Sequence, residues 1–88
     1  MARVFIPSQL RELSHGAKEA AVEADNVRQL VLALDARFPG MKNRLQSGEN
    51  LAAGVAVSID GVAQSQGGLL AKLKPDSEVH FSPALSGG

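Results

Sequence analysis

One stripe of apolar residues sets the plan of this chain. Val27, Leu30, Val31, Leu34 and Phe38 fall at i, i+3, i+4, i+7 and i+11, which lines one face of an α-helix. Asp25 or Asn26 can cap its start, and Pro39-Gly40 stops it. A single amphipathic helix cannot bury its own face. It needs a second layer, and the rest of the chain must supply one.

The flanking segments alternate. Arg3-Val4-Phe5-Ile6 is a short β-rich run closed by Pro7, which cannot donate to a ladder. After the turn Ser14-His15-Gly16, the segment Lys18 to Glu23 has a composition that favours helix. Its alternation of Ala20 and Val22 with Ala21 and Glu23 reads as the partner strand of a hairpin. Met41 to Leu45 adds a short turn of helix, and Ser47-Gly48-Glu49-Asn50 reads as a loop. Val55, Val57 and Ile59 alternate with Ala56, Ser58 and Asp60, the pattern of a half-buried strand. Asp60-Gly61 is a hairpin turn and Val62-Ala63-Gln64 returns from it. Leu69, Leu70 and Leu73 are expected in a short packed segment. Glu78-Val79-His80-Phe81 is the last strand, with Val79 and Phe81 on one face. The order β-β-α-β-β-β predicts an α+β fold in which a mixed sheet packs on one main helix. The first and last strands are expected to pair in parallel at the sheet centre.

With 88 residues the chain forms one domain, and its core is modest. An enclosed substrate cavity beside that core is not expected, so the chain reads as a module that works with partners, not as an enzyme. Nine Lys/Arg balance nine Asp/Glu, without the positive footprint that nucleic acid requires. No apolar run approaches a membrane span, and Met1-Ala2-Arg3 opens a strand, not a signal peptide. A cytoplasmic protein is expected. The sequence has no cysteine, which excludes thiol nucleophiles and Cys metal sites. His15 and His80 have no paired carboxylate or nucleophile signature and read as surface residues. No catalytic or metal-binding residue is expected. Gly67-Gly68 lacks the pattern of a phosphate-binding loop.

The unusual chemical handle is at the end. Gly87-Gly88 carries a carboxylate with no side chain to crowd it. Such a terminus can be threaded into a narrow partner site and activated as an acyl group. The body is expected over residues 1–82 and a flexible tail over residues 83–88. Within that tail, Leu85 exposes apolar area with no local reward. It is expected to anchor the tail, together with Pro83, Ala84 and Ser86, in a partner's channel.

The chain resembles the ubiquitin-like sulfur carriers, the family of molybdopterin synthase small subunits (MoaD) and thiamine sulfur carriers (ThiS). The resemblance rests on Val4-Phe5-Ile6, Leu10-Arg11, the helix ending Phe38-Pro39-Gly40, and Val57-Ser58-Ile59-Asp60-Gly61. Its most specific part is Leu73, Pro75-Asp76-Ser77-Glu78-Val79, Phe81, Pro83 and Ser86-Gly87-Gly88. It implies the ubiquitin-like β-grasp fold. It also implies that an E1-like adenylating enzyme uses ATP to convert the Gly88 carboxylate into an acyl-adenylate. A sulfur donor then displaces AMP and leaves a thiocarboxylate. The carrier itself holds no cofactor.

The resemblance leaves the sulfur acceptor open. Molybdopterin synthase small subunits carry bulky apolar residues near the end of the first strand and just before the tail's first proline. Pro7 and Ser82 stand there in this chain, which weakens docking to a molybdopterin synthase large subunit. Ile6-Pro7-Ser8, Gly67-Gly68-Leu69 and Pro83-Ala84-Leu85-Ser86-Gly87-Gly88 resemble instead the carriers that serve cysteine or thiolated metabolites. There the acceptor is a cysteine-synthase-like pyridoxal-phosphate enzyme, and a zinc metalloprotease trims the product. Phe5, Arg11, Lys72 and Lys74 are candidate docking residues. A ubiquitin-like modifier that forms isopeptide bonds, and an interaction domain with an inert tail, are the readings of other classes.

Overall fold

The computed structural model describes residues 1–52, 54–64 and 68–83. Strand β1 (Ala2–Phe5) runs antiparallel to β2 (Glu19–Val22), with Val4 opposite Ala20. The helical composition of β2 is overridden by burial. Ala20 and Val22 point inward and Glu19 and Ala21 outward, and only period two achieves that split. Between them, Ser8–Leu10 forms a 3₁₀ turn that buries Leu10.

Helix α1 (Val27–Arg37) begins at Asn26, whose side chain accepts the Gln29 N–H at 2.8 Å. Of the two candidate caps, Asn26 takes the role. Val27, Leu30, Val31 and Leu34 are buried along its inner face, worth about 6–12 kcal/mol of transfer free energy before chain entropy is counted. Phe38 closes the helix, and Gly40, at φ 104°, turns the chain into α2 (Met41–Leu45). That left-handed conformation favours glycine.

The segment Ser47 to Asn50, expected as a loop, is instead the tip of a miniature hairpin. Strands β3 (Gln46–Ser47) and β4 (Asn50–Leu51) pair antiparallel. Two-residue strands are too short to carry a period, so no alternation announces them.

Strand β5 (Val55–Ile59) turns through Asp60 and Gly61 into β6 (Val62–Gln64). Both turn residues have positive φ, 50° and 86°, as the two-residue primed hairpin turn requires. A 3₁₀ turn at Gly68–Leu70 follows. It buries Leu69 but leaves Leu70 71% exposed, which corrects the expectation that both leucines pack. Gly67 lies outside the described residues.

Strand β7 (Glu78–Pro83) runs parallel to β1 and antiparallel to β5. The sheet order is β2-β1-β7-β5-β6, so β7 is central and β1 is its parallel neighbour, as expected. One face of this sheet carries Val4, Val57, Val79 and Phe81 into a core shared with α1 and α2. Five strands of mixed direction packed on one main helix make the β-grasp arrangement. Among the described residues no helix is long and apolar enough to cross a membrane.

Candidate functional site

The last strand leads to the Gly87-Gly88 terminus singled out by its chemistry. Ala56 opposes Ser82 and Val55 opposes Pro83, so the chain leaves the central strand of the sheet from a fixed position. Pro83, expected at the head of the tail, is the last residue of β7. The other tail residues, Ala84, Leu85, Ser86, Gly87 and Gly88, lie outside the described residues.

Beside that exit is a groove of about 140 Å³ on the helix side of the sheet. Pro7, Leu10, Leu45, Val55, Phe81 and Ser82 line it, with Arg44 exposed beside them. Pro7 and Ser82, the two positions where bulky apolar residues are lacking, thus sit against one and the same groove.

The opposite face of the sheet is open. Register and alternation place Glu19, Phe5, His80, Ser58 and Ala63 side by side in one row across all five strands. None of them is buried. The rings of Phe5 and His80 stack with centroids 4.2 Å apart and planes 1° from parallel. The Arg3 guanidinium lies 5.4 Å from the Phe5 ring centroid and pairs with Glu19 at 2.9 Å. That hydrogen bond, reinforced by the charge of Glu19, raises the Arg3 pKa above its ordinary value. An open cleft of about 450 Å³ borders the stack, and Arg11, Lys18 and Glu19 line it with Phe5 and His80. The Arg11 Nε is buried there without a hydrogen-bond partner among the described residues. Glu19 is already matched by Arg3, so Arg11 and Lys18 give the cleft a positive surplus.

The structure therefore brings Phe5 and Arg11 together and separates them from the two lysines. Lys72 bridges Asn26 through its backbone, and the Lys74 N–H donates to Ser77 Oγ at 2.8 Å. Both precede β7, Lys72 by six residues and Lys74 by four. The six-residue strand β7, about 17–20 Å long at 3.3 Å per residue, separates them from the tail exit. His80 is the residue whose place sequence reasoning missed. Read as an isolated surface histidine, it is on the surface, but it forms half of the stacked platform. Parallel pairing of the first and last strands, combined with alternation, was the signal that could have placed it beside Phe5.

No protein-family model matches the sequence, and a search of curated proteins finds no match. Solved structures do match. CysO from Amycolatopsis orientalis, solved in a complex with BexX, superposes with TM-score 0.90 at 28% identity over 100% of both chains. CysO from Mycobacterium tuberculosis gives 0.87 at 24% identity, covering 97% of this chain and 100% of that one. Small archaeal modifier protein 1 from Methanosarcina acetivorans gives 0.77 at 24% identity over 99% and 95%. The chain is a ubiquitin-like β-grasp protein. Its structural neighbours within that fold are CysO proteins and small archaeal modifier proteins.

Proposed function

We propose that this protein is a sulfur carrier whose chemistry resides in its own C-terminus. The observation that carries the reading is a Gly87-Gly88 terminus on a chain that matches CysO along its whole length. In the proposed cycle, a Gly88 carboxylate oxygen attacks the α-phosphorus of ATP on an E1-like adenylating enzyme. Pyrophosphate leaves and an acyl-adenylate forms. A sulfide-level donor attacks the acyl carbon, AMP departs, and a thiocarboxylate remains. The partner enzymes perform every step. The chain supplies the acyl group, the reach and the docking face.

Central placement of β7 supports this division of labour, because the tail leaves from the best-supported strand of the sheet. Its glycines offer no Cβ to block a narrow channel. Leu85 anchors the tail inside that channel, flanked by Pro83, Ala84 and Ser86. The Phe5–His80 platform with Arg11 is the docking face, and Lys72 and Lys74 stand outside it. The residues at the tail exit favour the cysteine or thio-metabolite branch over a molybdopterin synthase large subunit. In that branch the thiocarboxylate sulfur attacks the aminoacrylate of a cysteine-synthase-like enzyme. An acyl shift leaves cysteine on the terminus, and a zinc metalloprotease releases it.

The test is ATP–pyrophosphate exchange with the adenylating enzyme of the same host. The full chain supports exchange, and the chain lacking Gly87-Gly88 does not. Exchange that survives the truncation would sink the proposal. Leu85→Ala tests the anchor separately: unchanged exchange kinetics would remove Leu85 from the contact.

A further inference from the structure

Strand β2 is one edge of the sheet and pairs with β1. The phase of that ladder decides which of its backbone groups are used. The Ile6 N–H donates to the Lys18 carbonyl at 2.8 Å. Lys18, Ala20 and Val22 therefore turn their backbone groups toward β1, and Glu19 and Ala21 turn theirs outward. Such a row is a template for another strand. Among the described residues one side chain answers it. Arg37, in the last turn of α1, donates from Nη1 to the Ala21 carbonyl at 3.1 Å. The Ala21 N–H and both outward groups of Glu19 have no such partner among the described residues.

No stretch outside the described residues is anchored near this edge. Residues 65–67 follow β6, at the opposite edge, and residue 53 precedes β5. Ala21 is in register with Arg3 and, through it, with Glu78, five residues before Pro83. At about 3.3 Å per residue and 4.8 Å per strand, Ala21 stands roughly 19 Å from Pro83. Five fully extended residues span at most about 18 Å, so residues 84–88 fall short of the far side of Ala21.

Charge decides what the edge can take. A second copy of β2, paired antiparallel about Ala21, would set Glu19 against Glu23 twice, and like charges directly opposite are destabilising. Arg37 selects in the other direction. It is exposed, makes no ion pair among the described residues, and reaches the edge from the helix side of the sheet. A strand laid along β2 turns alternate side chains to that side. The ones flanking Ala21 meet the guanidinium, whose fork suits a carboxylate.

We propose that the β2 edge accepts an extended segment of a partner protein that carries aspartate or glutamate on its helix-facing positions, with Arg37 as the gate. In the free chain Arg37 holds the Ala21 carbonyl. When the segment pairs, its own N–H donates to that carbonyl, the Ala21 N–H finds an acceptor, and the freed guanidinium takes the carboxylate. The inference does not depend on the chemistry of the terminus.

The test uses two short acetylated and amidated peptides with the full chain, followed by amide NMR. Both alternate lysine or threonine with valine. One has glutamate at its central helix-facing position and the other has glutamine there. The glutamate peptide should shift the Glu19 and Ala21 amides and slow their hydrogen exchange, while Ala63, on the opposite edge strand, stays in place. It should bind about two- to fivefold more tightly than the glutamine peptide, the range of exposed ion pairs. Arg37→Gln, at an exposed position outside the core, should abolish that preference. Unmoved Glu19 and Ala21 amides overturn the proposal, and so does a glutamate preference that survives Arg37→Gln. Edge amides that shift with protein concentration in the absence of peptide overturn it too, because the edge would then belong to a second copy.

Discussion

Asp60 ties the β5–β6 turn to the start of β7 through one carboxylate. Its Oδ1 accepts the Glu78 N–H at 2.8 Å and its Oδ2 accepts the Ser77 hydroxyl at 3.1 Å. Its own N–H donates to the Glu78 carbonyl at 2.8 Å. The Glu78 N–H bond, helped by Ser77 and the charge of Lys74, holds the Asp60 carboxyl below its ordinary pKa. A carboxyl depressed in the folded state contributes stability above its unfolded pKa of about 3.9, and the contribution disappears as pH falls through the folded value. Urea midpoints measured down a pH series should therefore drop more steeply below about pH 4 in the native protein than in Asp60→Asn. Asparagine keeps the tolerance for φ 50° and loses only the titration, so parallel curves would contradict this account. Ser77 is buried and serves both Asp60 and the Lys74 N–H. Ser77→Ala should cost roughly 1–3 kcal/mol by urea denaturation, because it leaves the Lys74 N–H without its acceptor.

At the scale of elements, close approach decides where substitution is tolerated. A Cβ on Gly68 would stand 2.9 Å from Leu51 Cδ1 and 3.0 Å from Val57 Cγ1. Gly68→Ala should lower stability by about 1–3 kcal/mol, the usual cost of overpacking, and a thermal melt would register it. Asn26→Ala should cost about 1 kcal/mol by losing the helix cap. Long periodic elements were legible in advance, because α1 shows its stripe and β1, β2, β5 and β7 show alternation. The β3–β4 hairpin was not, since pairs of two residues have no period. Leu70 was misplaced because a 3₁₀ turn points adjacent leucines in different directions, and composition cannot say which one faces the core. The Phe5–His80 platform was hidden for another reason: it depends on the register between strands from opposite ends of the chain. The reading of the tail rests on the chemistry of its Gly-Gly terminus and not on the fold, because residues 84–88 lie outside the described residues.

The whole molecule separates its tasks by place. Helix and inner sheet face hold the core, and under the proposed function the outer face is the docking platform and the central strand leads to the terminus. This division predicts that docking and stability can be altered independently. His80→Ala, on the open face, should raise the KM of the adenylating enzyme for the carrier several-fold while leaving the unfolding free energy in urea within about 0.5 kcal/mol. Lys72→Glu, six residues before β7 and beside Asn26, should leave that KM unchanged, and the same exchange assay reads both. The proposed function stands or falls with the terminus itself. Its most direct test is the intact mass of the protein after incubation with the host adenylating enzyme, ATP and sulfide, followed by mapping of the C-terminal peptide. The account predicts a mass gain equal to one oxygen replaced by sulfur, confined to the peptide that ends in Gly88. An unchanged mass, in a reaction where the enzyme converts a known carrier of the same host, would contradict it.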